Sequence, residues 1–293
     1  MKILVIYNPV AGITKSNELE TIEAFLTNNN LTFDLEKTTI ENGPSVILSK
    51  QNKDYKAIVA CGGDGTVSET INGMHKYKYD CPLLIVPTGT SNEIAQNLGL
   101  KDESIDIVLN RLLQNEISTL DYGLINENNT FTYALTFGNF TEVTYKTPQQ
   151  MKNWLGYRAY LLYGFLTFRK VKSYRLKIKT NNINISGNYV FGAISNSKSI
   201  GNIVHYDENE ISLCDGKFEV LLISKPTTVK ELRLIITGLI QNKYTNEMFT
   251  IFTTNKIKIQ SKNNINWNTD GEFGGAYKNL TVSNLRKKIK LLV

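Results

Sequence analysis

An apolar run, Ala57-Ile58-Val59-Ala60-Cys61, passes without a break into Gly62-Gly63-Asp64-Gly65-Thr66, and helical spacing takes over from Val67 to His75. So short an apolar run, closed by glycines, reads as a strand. A strand that hands over to a helix within one turn belongs in a parallel βαβ unit. The neighbouring sequence repeats the rhythm: Lys2 to Tyr7, Leu31 to Glu36 and Leu83 to Val86 read as strands, and Asn17 to Thr27 and Ser45 to Lys50 carry helical spacing. Residues 1–122 are therefore expected to form an α/β unit, a parallel sheet with flanking helices.

Beyond Asp121 the period changes. Phe131 to Thr136, Tyr174 to Thr180, Val190 to Ile194, Phe218 to Ile223 and Lys256 to Gln260 alternate with a period of two, as antiparallel strands do. Helical spacing interrupts them near Gln149 to Phe168 and Val229 to Leu239. Residues 123–284 read as a second, mainly antiparallel β unit, and the tail Leu285 to Val293 suits a strand of either unit.

The chain has 293 residues, 41% of them hydrophobic and 20% charged, with 6 Pro and 20 Gly, which excludes fibrous and disordered classes. A net charge of +6 and a pI near 9.0 draw it toward polyanions: nucleotides, anionic membranes or nucleic acids. Cys61, Cys81 and Cys214 are far apart, and with His75 and His205 they complete no zinc spacing, so a reducing cytosol and buried thiols are expected. The apolar opening Ile3 to Ile6 stops at Asn8-Pro9, too short for a signal peptide, and the later run Leu232 to Ile240 contains Arg233 and is too short to span a bilayer. The expected location is the cytoplasm, with any membrane met from its surface.

Glycines between a strand and a helix let the backbone bend and approach a ligand, while the free N–H groups of the helix favour an anion. Gly62 to Thr66 thus suits a phosphate, and Asp64 fits if a divalent cation lies between carboxylate and phosphate. No Gly-Lys-Ser/Thr follows, so the loop is not a Walker A motif. A plain Gly-rich turn with a solvated Asp is the other reading. Asn8-Pro9-Val10-Ala11-Gly12 and Pro87-Thr88-Gly89-Thr90-Ser91-Asn92-Glu93 also follow strands, and loops at the carboxyl ends of a parallel sheet share one crevice. Thr66, Thr90 and Asn92 are placed either to hydrogen-bond phosphate or ribose, or simply to cap helices.

In the second unit, Trp267-Asn268-Thr269-Asp270-Gly271-Glu272 follows an alternating stretch. An extended chain would put Asp270 and Glu272 on one face, where mutual repulsion favours a proton on one of them and suits a general base. An Asp-Gly hairpin turn with solvated acids is the competing reading.

Taken in order, Asn8-Pro-x-x-Gly12, Gly62-Gly-Asp-Gly-Thr-x-x-Glu69 and Pro87-x-Gly-Thr-x-Asn92 resemble the diacylglycerol kinase catalytic domain, above all the soluble bacterial diacylglycerol kinases and their sphingosine and ceramide kinase relatives. The Gly-Gly-Asp-Gly motif alone is shared with NAD kinases and phosphofructokinases. The resemblance implies two domains with a cleft between them where ATP meets an acceptor lipid, and transfer of the γ-phosphoryl group to diacylglycerol. It implies that Asn8 to Gly12, Thr39, Gly62 to Thr66, Glu69, Thr90, Asn92, Glu93 and Asp121 contact nucleotide or its Mg²⁺, with Asp64 on the metal. It makes Glu272 the general base, with Asp270 orienting it, and it makes Ser212, Asp215 and Lys217 a structural Mg²⁺ loop, the first and last through carbonyls. Ala11 stands where relatives often have Ser, Glu93 where they usually have Asp, and Cys214 replaces a frequent acidic or amide neighbour. Close relatives pair through their β domains, so a homodimer is possible.

The segment Met151 to Arg175 mixes Trp154, Tyr157, Tyr160, Phe165 and Phe168 with Lys152, Arg158, Arg169, Lys170 and Lys172, which suits either an anionic bilayer or a core helix with a basic edge. Arg175, Lys177 and Lys179 continue the ambiguity on a strand. The rivals to a lipid kinase are an NAD-kinase-like enzyme and a non-catalytic polyanion binder. No nucleic-acid partner is expected, since no recognition module is present and the basic residues are scattered.

Overall fold

The computed structural model describes residues 2–12, 17–100, 103–138, 172–200, 204–206 and 211–293. The first part alternates as the periodicity requires: β1 (Lys2–Tyr7), α1 (Glu18–Asn28), β2 (Thr32–Lys37), α2 (Pro44–Lys50), β3 (Ala57–Gly62), α3 (Asp64–Tyr77) and β4 (Leu83–Pro87). Two helices absent from the sequence reading follow, α4 (Glu93–Asn97) and α5 (Ile105–Gln114). β2, β1, β3 and β4 pair in that order, all parallel.

The continuous apolar runs arise because both faces of this sheet are covered. Leu4 and Ile6 of β1 pack with Ile47 of α2 and Ile71 of α3, while Ile3 and Val5 pack with Ile22 of α1 and Leu109 of α5. All are essentially solvent-free. Pro44 opens α2 at its first turn, where a missing N–H costs nothing. Because β1 has β2 on one side and β3 on the other, the chain leaves β1 and β3 for helices on opposite faces of the sheet, and a crevice opens between them at the switch point.

The second part comprises β5 (Ile117–Ile125), β6 (Asn129–Phe131), β7 (Ala134–Phe137), β8 (Tyr174–Lys179), β9 (Asn184–Ser195), β10 (Ser199–Ile200), β11 (Val204–His205), β12 (Phe218–Ser224), α6 (Val229–Gln241), β13 (Phe249–Thr254), β14 (Lys256–Thr269) and β15 (Glu272–Leu292). A capping box, Thr228 with Glu231, starts α6. The pairings within this part are antiparallel, and its inner faces enclose a core around Phe131, Phe137, Phe218 and Trp267.

β15 joins the two parts. It pairs antiparallel with β14 and β5, and its end lies parallel to β4 at Leu291 and Leu83. One 13-stranded sheet therefore runs through the molecule. The tail from Leu285 is the far end of β15, and the register shifts between Leu285 and Ile289 as the strand passes from one part to the other.

The proposed helix Gln149 to Phe168 and most of Met151 to Arg175 lie outside the described residues. On β8, Leu176 and Ile178 are buried and Arg175, Lys177 and Lys179 are exposed, so that strand presents a cationic outer face. No described helix is long and apolar enough to cross a membrane. Of the cysteines only Cys61 is buried, so the expectation of three buried thiols fails for Cys81 and Cys214.

Candidate active site

The loops after β1, β3 and β4 converge. A Cβ on Gly12, whose φ is +72°, would lie 2.1 Å from the Thr88 carbonyl oxygen, and a Cβ on Gly89 would lie 2.4 Å from the Gly63 Cα. Only glycine lets these backbones touch. Thr88 N–H donates to the Gly62 carbonyl at 3.1 Å, and Asn8 N–H to that of Cys61 at 2.9 Å. Side chains repeat the tie: Asn8 Nδ2 donates to Thr66 Oγ1 at 2.9 Å, while its Oδ1 accepts from Val10 N–H at 3.1 Å.

These loops floor a cleft of about 1220 Å³ that is closed from the other side by residues of β6, β14, β15 and the Asp270-Gly271 turn. Asn8 to Gly12, Thr39, Gly63, Gly65, Thr66, Glu69 and Thr90 line it, together with Asp270 and Glu272, so sites far apart in the sequence meet in one space. Gly62 lies beneath Thr66, since a Cβ there would be 2.4 Å from its hydroxyl oxygen. α3 begins at Asp64, and the N–H groups of its first turn open at the cleft floor. Glu69 sits against the start of α2, where its Oε1 accepts from Ser45 N–H at 3.4 Å; burial, then the nearby Glu272, pushes its carboxyl up from the ordinary value.

Three candidates are bound differently from expectation. Asn92 adopts a left-handed conformation, φ +51°, and uses its amide on one residue: Oδ1 accepts from Gly89 N–H at 3.1 Å and Nδ2 donates to Gly89 O at 2.7 Å. It closes the loop and does not line the cleft. Asp64 is engaged outside the cleft lining as well: its Oδ1 accepts from Ile94 N–H at 2.9 Å in the first turn of α4, which leaves Oδ2 free of that bond. Asp121 is not a cleft residue. It lies fully buried inside β5, where Oδ2 accepts from Gly216 N–H at 2.6 Å and Oδ1 from Lys287 N–H at 2.6 Å. It thereby fastens the 212–217 loop to the point where β15 shifts register.

The expectation that Asp270 and Glu272 share a strand face is overturned. β14 ends at Thr269, which pairs with Glu272, and Asp270 and Gly271 form the two-residue turn between them with φ +50° and +87°. Positive φ at both central residues is the type I′ hairpin for which Asp-Gly is suited. Yet Asp270 is not a solvated turn acid. Its Oδ1 accepts from Tyr133 N–H at 2.9 Å and Ala134 N–H at 3.0 Å, and its Oδ2 accepts from Thr132 N–H at 2.7 Å and from the Ser68 hydroxyl of α3. Burial pushes this carboxyl up from its ordinary value against the pull of those four donors. Glu272, two residues on and the first of β15, is exposed and reaches over the glycine loop: a Cβ on Gly65 would lie 2.8 Å from its Oε1.

Tyr133 gathers the acids. Burial raises its phenol pKa first, and the charges of Asp270, Asp64, Glu93 and Glu272 raise it further. No cluster of three His, Cys, Asp or Glu side chains able to hold a metal occurs among the described residues. Asp215 is exposed, its Oδ1 accepting from Lys217 N–H at 2.9 Å, and the Lys217 carbonyl accepts from Asn284 Nδ2 at 3.2 Å. One carboxylate with the Ser212 and Lys217 carbonyls is a hard-oxygen set.

Sequence reasoning passes over Ser68 and Phe273, both of which line the cleft. Ser68 carries no local signal because its partner is 202 residues away. Phe273, beside Glu272 and 69% exposed, could have been noticed as an apolar residue in a polar turn.

Residues 2–125 match the family model described as the diacylglycerol kinase catalytic domain. The chain is 26% identical to a diacylglycerol kinase of Bacillus subtilis (strain 168) over 92% of this chain and 89% of the relative. It is 29% identical to a diacylglycerol kinase of Staphylococcus haemolyticus over 76% of this chain and 67% of the relative. Its fold is that of a diacylglycerol kinase crystal structure from Bacillus anthracis, with a TM-score of 0.74 over 99% of this chain and 96% of the other at 19% identity. These similarities support a lipid kinase.

Proposed function

We propose that this lipid kinase moves the γ-phosphoryl group of ATP to the hydroxyl of diacylglycerol, giving phosphatidic acid, in the cytoplasm at the surface of an anionic membrane. What carries the reading is the position of Glu272 Oε1 over Gly65, where an exposed carboxylate faces the anion-binding start of α3. A base must lie within reach of both acceptor and phosphate, and this is the carboxylate of the cleft that stands over the glycine loop.

The polyphosphate rests against the N–H groups of Gly63 to Thr66, and Asn8 fixes the Thr66 hydroxyl beside it. Glu272 takes the proton of the acceptor hydroxyl as its oxygen bonds to the γ-phosphorus, and the bond from that phosphorus to the bridging oxygen of ADP breaks. Asp270 fixes the turn that aims Glu272. Asp64, through Oδ2, and Glu93 would hold Mg²⁺, which when bound screens the phosphate oxygens. Asp215 with the Ser212 and Lys217 carbonyls would hold a second, structural Mg²⁺. The exposed Arg175, Lys177 and Lys179 supply cations for the bilayer, each worth about 1 kcal/mol near an anionic surface.

The test is transfer of labelled γ-phosphate from ATP to vesicles of phosphatidylglycerol that carry diacylglycerol, a sphingoid base or an isoprenoid alcohol, with NAD in a parallel reaction. Label in phosphatidic acid, lowered about 10²- to 10⁴-fold in Glu272→Gln with ATP binding kept, is the expected result. Label in another lipid changes the acceptor. Label in NAD, or no transfer although ATP binds, overturns the proposal.

A further inference from the structure

Asn72 and Asn129 line the cleft and also wall off a second crevice, of about 780 Å³. It runs along the C-terminal half of α3 and is closed by β5 and by the register shift of β15. Nothing in the preceding mechanism uses it.

The floor of the crevice is apolar. Met74, Tyr122 and Ile289 are buried, and Leu285 packs against the same core. The rim is cationic: Lys76, Lys78 and Lys288 stand around it, and none of them forms an ion pair among the described residues. Of the two acids there, Asp80 is paired with Lys290 at 2.8 Å, and Glu127 lies in the turn between β5 and β6 with φ +66°. The open carbonyls that end α3 favour cations at this end of the helix, which is why lysines collect here without carboxylate partners.

At the back, the Tyr122 hydroxyl lies 2.7 Å from His75 Nδ1, with the rings edge to face at 5.7 Å. Burial pushes the phenol up to about 12 and holds the imidazole below its ordinary value, so at neutral pH the phenol keeps its proton and donates it to Nδ1. The neutral ring then carries its own proton on Nε2, for which no acceptor is found among the described residues.

We propose that this crevice is a second binding site, for the phosphate group of an anionic ligand, held by Lys76, Lys78, Lys288 and the His75 Nε2–H, with the apolar floor receiving the first carbons of a lipid. Free phosphate and a phospholipid headgroup share that chemistry. The site is separate from the cleft, so it stands whatever acceptor the cleft serves.

The test follows the imidazole resonances of the full-length protein by ¹⁵N NMR. The chain has 2 histidines, so His75→Phe and, independently, His205→Asn assign the two sets even where one variant folds poorly. Inorganic phosphate, dihexanoyl phosphatidylglycerol and dihexanoyl phosphatidylcholine are titrated in turn. The expected result is a shift of the His75 Nε2 resonance whose midpoint rises about five- to tenfold when Lys76→Gln and Lys288→Gln are combined, as befits two exposed ion pairs. A lower midpoint for phosphatidylglycerol than for phosphate assigns the site to a lipid, and equal midpoints assign it to free phosphate. No shift with either anion, an equal shift with phosphatidylcholine, or a midpoint indifferent to the two lysines overturns the proposal.

Discussion

Glu272 Oε1 stands over Gly65, close enough that a methyl group added at Gly65 would lie 2.8 Å from it. Gly65 is inside the first turn of α3 and has no positive φ, so alanine is conformationally acceptable there and can stabilise the helix by up to about 1 kcal/mol. The clash falls on the end of a flexible side chain, which moves. Gly65→Ala should therefore keep the urea midpoint unchanged or raised while phosphoryl transfer falls about 10²-fold through a misplaced base. Unfolding and initial-rate measurements on the same preparation separate the two effects; a variant with full activity would show that Glu272 need not occupy this position.

Asp270 ties three regions to one carboxylate: its own hairpin, the 132–134 backbone and Ser68 on α3. Asp270→Ala strands three backbone N–H groups in a buried site, and a loss of about 3 kcal/mol is expected in urea unfolding at neutral pH. Ser68→Ala removes one donor of four and should cost about 1 kcal/mol. If both variants lost the same amount, the hydroxyl rather than the backbone cradle would dominate the contact.

The reach of sequence reasoning follows the range of the interactions. The βα alternation was legible because burial of β1, β3 and β4 on both faces writes itself into consecutive residues, and the glycine loops because close backbone approach has no other residue to use. The turn at Asp270-Gly271 was readable from local chemistry, but a period of two was carried through a hairpin that breaks it. Asp121 was out of reach: its carboxylate serves Gly216 and Lys287, 95 and 166 residues away, and nothing near Asp121 in the chain announces either. α4 and α5 were missed for a different reason. The first is five residues long, and its start is stabilised by Asp64 from another element.

Gly89 offers a sharper test of loop convergence than any polar residue. A Cβ there would lie 2.4 Å from the Gly63 Cα and 2.7 Å from Asn92 Oδ1, and backbone cannot step aside as a side chain can. Gly89→Ala should push the β3 and β4 loops apart and lower stability by about 2 kcal/mol. ATP affinity should fall with it. Calorimetric titration together with thermal unfolding checks this, and unchanged ATP affinity would mean that the two loops do not jointly form the nucleotide floor.

Glu219 on β12 makes the stability of the protein depend on pH in a predictable direction. It is 6% exposed, its Oε2 has no hydrogen-bond partner, and burial, reinforced by Asp215, raises its pKa from 4.5 to about 7. In the folded chain the carboxyl therefore keeps its proton at a pH where the unfolded chain has lost it, so the native state binds more protons between those values and stability falls as pH rises through that window. The full effect is about 3 kcal/mol, complete once the pH passes the folded value. Glu69 and Asp270, also raised, add slope of the same sign. Glu219→Gln stays neutral throughout, so it should match the wild type near pH ~4.5 and exceed it by about 3 kcal/mol near pH ~8, as measured by urea unfolding at the two pH values. An identical pH slope in the two proteins would mean that water or a cation reaches Oε2 and that the carboxylate is already charged in the folded state.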